Sequence, residues 1–114
     1  MENEEVIFQI ILHSGDAREN IIEAIKVLQD DNIKESYEYL EKANQCLNKA
    51  HKVQSTLIFD EINGEGVSLS LLMVHAQDHL MTTMAMRDFA KEIVKLYECK
   101  LMKGERYDKN RICI

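Results

Sequence analysis

This sequence predicts an all-α fold, an antiparallel up-down-up bundle of three helices. Apolar residues recur every three or four positions through three long stretches, the signature of helices that bury one face. The chain has no Pro and four Gly, so little interrupts those stretches. The strongest turn signal, Asn63-Gly64-Glu65-Gly66, falls between the second and third of them. No segment alternates with the period of a β-strand, and no internal repeat is visible.

Residues 4–29 form the first expected helix, with Ile7, Ile10, Ile11, Ala17, Ile21, Ala24, Ile25 and Leu28 at helical spacing. Gly15 lies inside it. A mid-helix Gly costs about 1 kcal/mol against Ala, so its presence points to close approach by another helix, the alternative being a tolerated surface glycine. Asp16 and Arg18 are expected to face solvent or to pair with opposite charges. Gln29-Asp30-Asp31-Asn32 is a short polar turn, in which Asn32 followed by Glu35 predicts a capping box with Asn as the cap.

The second helix is expected over 33–61, burying Ile33, Tyr37, Leu40, Ala43, Leu47, Ala50, Gln54, Leu57 and Ile58. This three-four spacing suits left-handed bundle packing. His51 lies off the stripe and His13 sits beside Ser14; both are expected to be structural or surface histidines. Ser68 is the expected N-cap of the third helix, whose pattern runs from Val67 to Lys103 without Pro or Gly. The domain is expected to span 1–102, with 103–114 a loose polar tail.

The third helix carries two apolar stripes. One is Leu72, Ala76, Leu80, Thr83, Ala90 and Val94. The other begins with His75, Asp78, His79 and Thr82 and continues as Met86, Phe89, Ile93 and Leu96. A helix packed only on its own domain needs one apolar face, so this one is expected to be covered on both sides. His75, Asp78 and His79 fall at i, i+3 and i+4, where Cβ atoms are roughly 5–6 Å apart. An unpaired charge in such a seam is costly.

Composition narrows the candidates. The net charge is −6, with 13 acidic and 6 basic residues in 1–62 against 7 and 8 in 63–114. A nucleic-acid binder needs a clustered basic surface, which this distribution does not supply. No apolar run approaches the roughly 18 residues of a membrane span, and the acidic start Met1-Glu2-Asn3-Glu4-Glu5 does not resemble a signal peptide. Cys46, Cys99 and Cys113 are odd in number and share no C-x-x-C spacing, so neither a disulfide framework nor a thiolate zinc site is expected. A reducing cytoplasm fits.

Three chemistries compete for the cluster. His75 could be a hydrogen-bonded core or interface histidine. His75, Asp78 and His79 could be ligands of a metal in a helical binding or adaptor oligomer, since imidazole and carboxylate at these spacings can converge on one ion. A structural site wants about four ligands, however, and no Glu-x-x-His or His-Glu-x-x-His partner occurs elsewhere in the chain. Lastly, a neutral imidazole can act as a nucleophile toward phosphorus, forming a transferable phosphoramidate.

The block Val74-His75-Ala76-Gln77-Asp78-His79-Leu80-Met81-Thr82-Thr83 resembles the signature of enzyme IIA of the lactose/cellobiose/chitobiose class of the bacterial phosphoenolpyruvate-dependent sugar phosphotransferase system. The similarity extends to Gly15-Asp16-Ala17-Arg18, to Ala50-His51, to the Gly-Glu pair before helix three and to Arg87-Asp88. It covers roughly residues 4–100. The resemblance implies a cytoplasmic homotrimer of three-helix subunits, with His75 phosphorylated by the phosphocarrier protein HPr. The group then passes to a cysteine of the IIB component, which serves a IIC membrane permease. It further implies one structural Mg2+ per trimer, held by Asp78 of three chains, with Gln77 and His79 in supporting positions near the phosphoryl group. Ala76 after His75 points to cellobiose or chitobiose rather than lactose as the β-linked disaccharide.

Overall fold

The computed structural model describes residues 3–104. The expected tail lies almost wholly in 105–114, outside the described residues, and so does Cys113. Three α-helices make up most of the described residues: α1 (Asn3–Lys26), α2 (Ile33–Ile62) and α3 (Leu71–Met102). The bundle is elongated, about 57 × 24 × 18 Å. Among the described residues no helix is long and apolar enough to cross a membrane.

The predicted core positions of α1 hold. Ile7, Ile10, Ala17, Ile21, Ala24 and Leu28 are buried, and Ile11 and Ile25 pack against them. The helix stops short of the expected limit because its end tightens into a single 3-10 turn, Val27–Asp30. That turn tucks Leu28 into the core. Asp31 then takes a left-handed conformation (φ 57°) to reverse the chain. Asp31 also accepts a hydrogen bond from the Tyr97 hydroxyl of α3.

Asn32 caps α2 as expected: its Oδ1 accepts from the Glu35 amide at 3.1 Å. The capping box is modified, however. Glu35 reaches back to the cap's side-chain Nδ2 at 2.8 Å rather than to its backbone. One turn in, the buried Ser36 hydroxyl donates to the Ala24 carbonyl at 2.7 Å, pinning the start of α2 to α1. Leu40, Ala43, Leu47 and Ala50 form the buried stripe.

Two predicted members of that stripe are corrected. Tyr37 sits at the surface, where its hydroxyl donates to Glu98 at 2.8 Å, and the nearby carboxylate pushes the phenol pKa up. Ile58 is half exposed, together with Phe59 and Ile62. Periodicity marks which face of a helix is apolar; it does not mark which turns have a neighbour to cover them.

The start of α3 is also corrected. The chain is irregular from Gly64 through Ser70, and the cap is Ser70, which accepts from the Met73 amide at 3.1 Å, not Ser68. Both serines are competent caps. The choice falls on the one that places Met73, the first buried residue of α3, over the core.

Beyond Met73, α3 buries Ala76, Leu80, Thr83, Ala90 and Val94. This is one of the two predicted stripes. The other is left open along the seam between α1 and α3. Phe89 is 72 % exposed and Leu96 66 %, and an apolar groove there is lined by Ile21, Ile22, Ile25, Met86, Phe89 and Ile93.

Candidate functional site

His75 and His79 lie one helical turn apart on the open face of α3. Their rings are nearly parallel, tilted by 16°, with centroids 6.2 Å apart. His75 is exposed and borders an open apolar hollow lined also by Leu71 and Leu72. His79 is half-buried, because it leans against α1.

The contact on α1 is Gly15. A Cβ placed there would stand 3.8 Å from Nε2 of His79. The expected close approach therefore exists, and its partner is an imidazole. Alanine would just touch the ring, and a longer side chain would compete for the same space.

Burial lowers the pKa of His79 below the ordinary histidine value. The charges of His75 and Arg18 push it the same way, while Asp78 opposes them. Near neutral pH the ring is uncharged, so one nitrogen keeps a proton to donate and the other can accept. Neither imidazole ring has a hydrogen-bond partner among the described residues.

Two hydroxyls that could serve this face are already spent on backbone. Thr82 donates to the carbonyl of Asp78 at 2.8 Å, and the buried Thr83 donates to that of His79 at 2.7 Å. Both bonds hold the helix that presents the rings.

Asp78 is exposed, and its carboxylate makes no salt bridge among the described residues. No group of three or more His, Cys, Asp or Glu side chains in the described residues converges to hold a metal ion. One chain thus offers one hard oxygen donor at this point. This argues against a ligand set of His75, Asp78 and His79 within one chain.

Gln77 is not brought to the imidazoles. It lies about 200° around α3 from His75, half-buried against α2, where its Oε1 accepts from Gln54 Nε2 at 2.6 Å. Within one chain this bond joins two helices. Arg87 similarly spans α3 and α2, donating to Asn44 at 3.3 Å and to its neighbour Asp88 at 3.0 Å. His51 is exposed on α2 and His13 half-buried on α1. Cys46 is half-buried, and burial followed by the charge of Asp16 pushes its thiol pKa up, which suppresses the nucleophilic thiolate.

Sequence reasoning placed Arg18 in solvent, which holds, but did not connect it with the site. The signal that could have found it is its spacing: it stands three residues after Gly15, hence on the same face of α1.

Known proteins resemble this chain in sequence and fold. The family described as "PTS system, Lactose/Cellobiose specific IIA subunit" matches residues 5–98. The lichenan-specific phosphotransferase enzyme IIA component of Bacillus subtilis is 47 % identical over 97 residues, covering 85 % of this chain and 88 % of that one. The lactose-specific EIIA component of Staphylococcus epidermidis is 38 % identical over 91 residues, 80 % of this chain and 88 % of its own. Among solved structures, the cellobiose-specific enzyme IIA of Bacillus anthracis superposes with a TM-score of 0.85 at 38 % identity, over 91 % of this chain and 96 % of that chain. The IIA(chitobiose) component in its complex with HPr, from Escherichia coli, gives a TM-score of 0.74 at 35 % identity, over 86 % and 95 %.

Proposed function

The chain belongs to the lactose/cellobiose-specific IIA subunit family of the sugar phosphotransferase system, and on that premise we propose that His75 carries the phosphoryl group. The observation that supports this most directly is the exposure of the His75 ring beside the half-buried, neutral ring of His79. A nucleophile that must meet two different proteins has to stand at the surface, and it needs a donor within reach of the phosphoryl oxygens.

The donor is phosphorylated HPr. A lone pair on a His75 ring nitrogen attacks phosphorus while the donor's N–P bond breaks and its electron pair returns to the donor imidazole. In the next transfer a cysteine thiolate of the IIB component forms an S–P bond as the N–P bond on His75 breaks. The pair then returns to the His75 ring. Catalysis is mostly positioning and charge stabilisation, and the apolar residues around His75 form the docking rim. The IIC permease receives the product of this relay indirectly. The chain works in the cytoplasm, where its partners present their phosphoryl groups.

The working unit is a homotrimer. The open stripe of Phe89, Ile93 and Leu96 and the groove beside it are the surfaces that further copies cover. Three copies bring three Asp78 carboxylates together, a donor set that suits a hard divalent ion such as Mg2+. The ion supplies charge neutralisation between subunits and takes no part in the transfer. For the sugar, a β-linked disaccharide of the cellobiose or chitobiose type is preferred over lactose, a reading in line with the cellobiose- and chitobiose-named structural neighbours.

The test is incubation with phosphoenolpyruvate, enzyme I and HPr. Acid-labile label on the wild type that is missing from a folded His75→Ala variant is the expected result. Absence of label, with a metal bound stoichiometrically by His75, Asp78 and His79, would support a non-catalytic metal-binding oligomer instead.

A further inference from the structure

Arg18 is a cation that the described structure leaves without a counter-charge. It makes no salt bridge and no side-chain hydrogen bond among the described residues. Its helical neighbours at three and four positions, Ser14, Gly15, Ile21 and Ile22, include no carboxylate that could pair with it. Asp16 does not serve either. It lies about 200° around α1 from Arg18, and its charge is felt at Cys46 on α2.

The location of Arg18 is specific. It stands one turn after Gly15, on the face that meets His79. Helical side chains lean toward the N-terminus of their helix, so Arg18 leans back over Gly15, whose missing side chain leaves the approach to His79 open. An acidic protein of net charge −6 thus places an unpaired guanidinium on the helix face that meets His79.

We infer that Arg18 holds the phosphoryl group on His75, its guanidinium donating to the phosphoryl oxygens from α1 while His79 donates from α3. The inference rests on the reading of His75 as the phosphoryl carrier. A dianion supplies the counter-charge that the resting protein lacks, and the planar fork of arginine suits phosphate oxygens better than a point charge does. No bond beyond those of the transfer itself forms or breaks. Arg18 stabilises the N–P state of His75 relative to the same group on HPr.

The experiment compares wild type, Arg18→Gln, Arg18→Lys and His75→Ala, with circular dichroism and sedimentation confirming fold and assembly. Arg18 is exposed, so its variants are expected to fold. Arg18→Gln should still be labelled on His75, with the equilibrium against phospho-HPr shifted about tenfold or more toward HPr, the scale of a lost charge-assisted hydrogen bond. The pKa of the bound phosphoryl group, followed by its phosphorus chemical shift, should rise in Arg18→Gln and be partly restored in Arg18→Lys. Unchanged equilibrium and unchanged phosphoryl titration in Arg18→Gln would overturn the inference while leaving the His75 relay intact. Weaker HPr binding with an unchanged equilibrium would overturn it too, assigning the charge to docking. Failure of the wild type to take label on His75 would remove the relay itself, and this inference with it.

Discussion

Substitution of Phe89 by Ser tests whether the open face of α3 is an interface. In one chain Phe89 is 72 % exposed, so the isolated bundle gains almost nothing from it. A phenylalanine presents roughly 200 Å², of which about 140 Å² is then available to a partner. At ~25 cal/mol per Å² its burial contributes about 3.5 kcal/mol for each chain that assembles, or roughly two and a half orders of magnitude per chain in the overall association constant. Sedimentation velocity over a range of concentrations should show a wild-type trimer and a Phe89→Ser species that dissociates at far higher concentration. Circular dichroism of the dissociated variant should retain the helical signal, because the core of Leu80, Ala90 and Val94 is untouched. A monomeric wild type, or a variant trimer of unchanged affinity, would refute the reasoning.

Asp78→Leu should keep the trimer, or tighten it, and should make its stability independent of chelator, since three mutually repelling carboxylates are replaced by apolar groups; soluble monomers would show that Asp78 does not face the other subunits. Ser14 is fully buried and its hydroxyl has no hydrogen-bond partner among the described residues, so Ser14→Ala should raise the unfolding free energy from urea denaturation by up to about 1 kcal/mol; a clear loss of stability would mean that the hydroxyl has a partner such as bound water. The pKa of His79 is depressed in the fold by burial, by His75 on α3 and by Arg18 on α1, against the pull of Asp78. Below the unfolded value near 6.5 the unfolded chain therefore binds more protons than the folded one. Its contribution to stability is complete above that value and declines as pH falls toward the folded pKa. Denaturation at pH 5 and pH 7 should show this decline in wild type and a smaller one in His79→Gln. An equal decline in both would remove His79 as the cause.

The bundle was legible because burial in helices leaves a periodic trace. Every buried residue of α3 except Met73 lies on a stripe that spacing alone picks out. The cap of α2 was legible as well, because Asn32 and Glu35 interact through local chemistry. What spacing could not reveal depends on the neighbouring element. Nothing local separates Ser68 from Ser70 as a cap, or shows that the last turns of α2 run past their cover. Gln77 sits between the residues of a recognisable block, yet its direction is set by Gln54 on another helix. Arg18 is exposed as expected, but its relation to the site was not legible for the same reason. Its significance comes from standing next to His79, and that proximity exists only once α1 and α3 are packed.

The placement of Gln77 also explains how an exposed side chain can be held for chemistry. His75 has no hydrogen bond of its own to fix it among the described residues, so its precision has to come from the helix that bears it. Each residue between His75 and Leu80 that does not face outward is tied elsewhere. Ala76 and Leu80 are locked in the core, and Gln77 is bonded to α2. One turn later, Thr83 fastens to the carbonyl of His79. These ties prevent the helix from rotating or sliding, and so they set where the two rings point. A carrier that must accept and release the same group gains from this division. The reactive face can stay open to successive partners because the opposite faces of the same turns are fully committed.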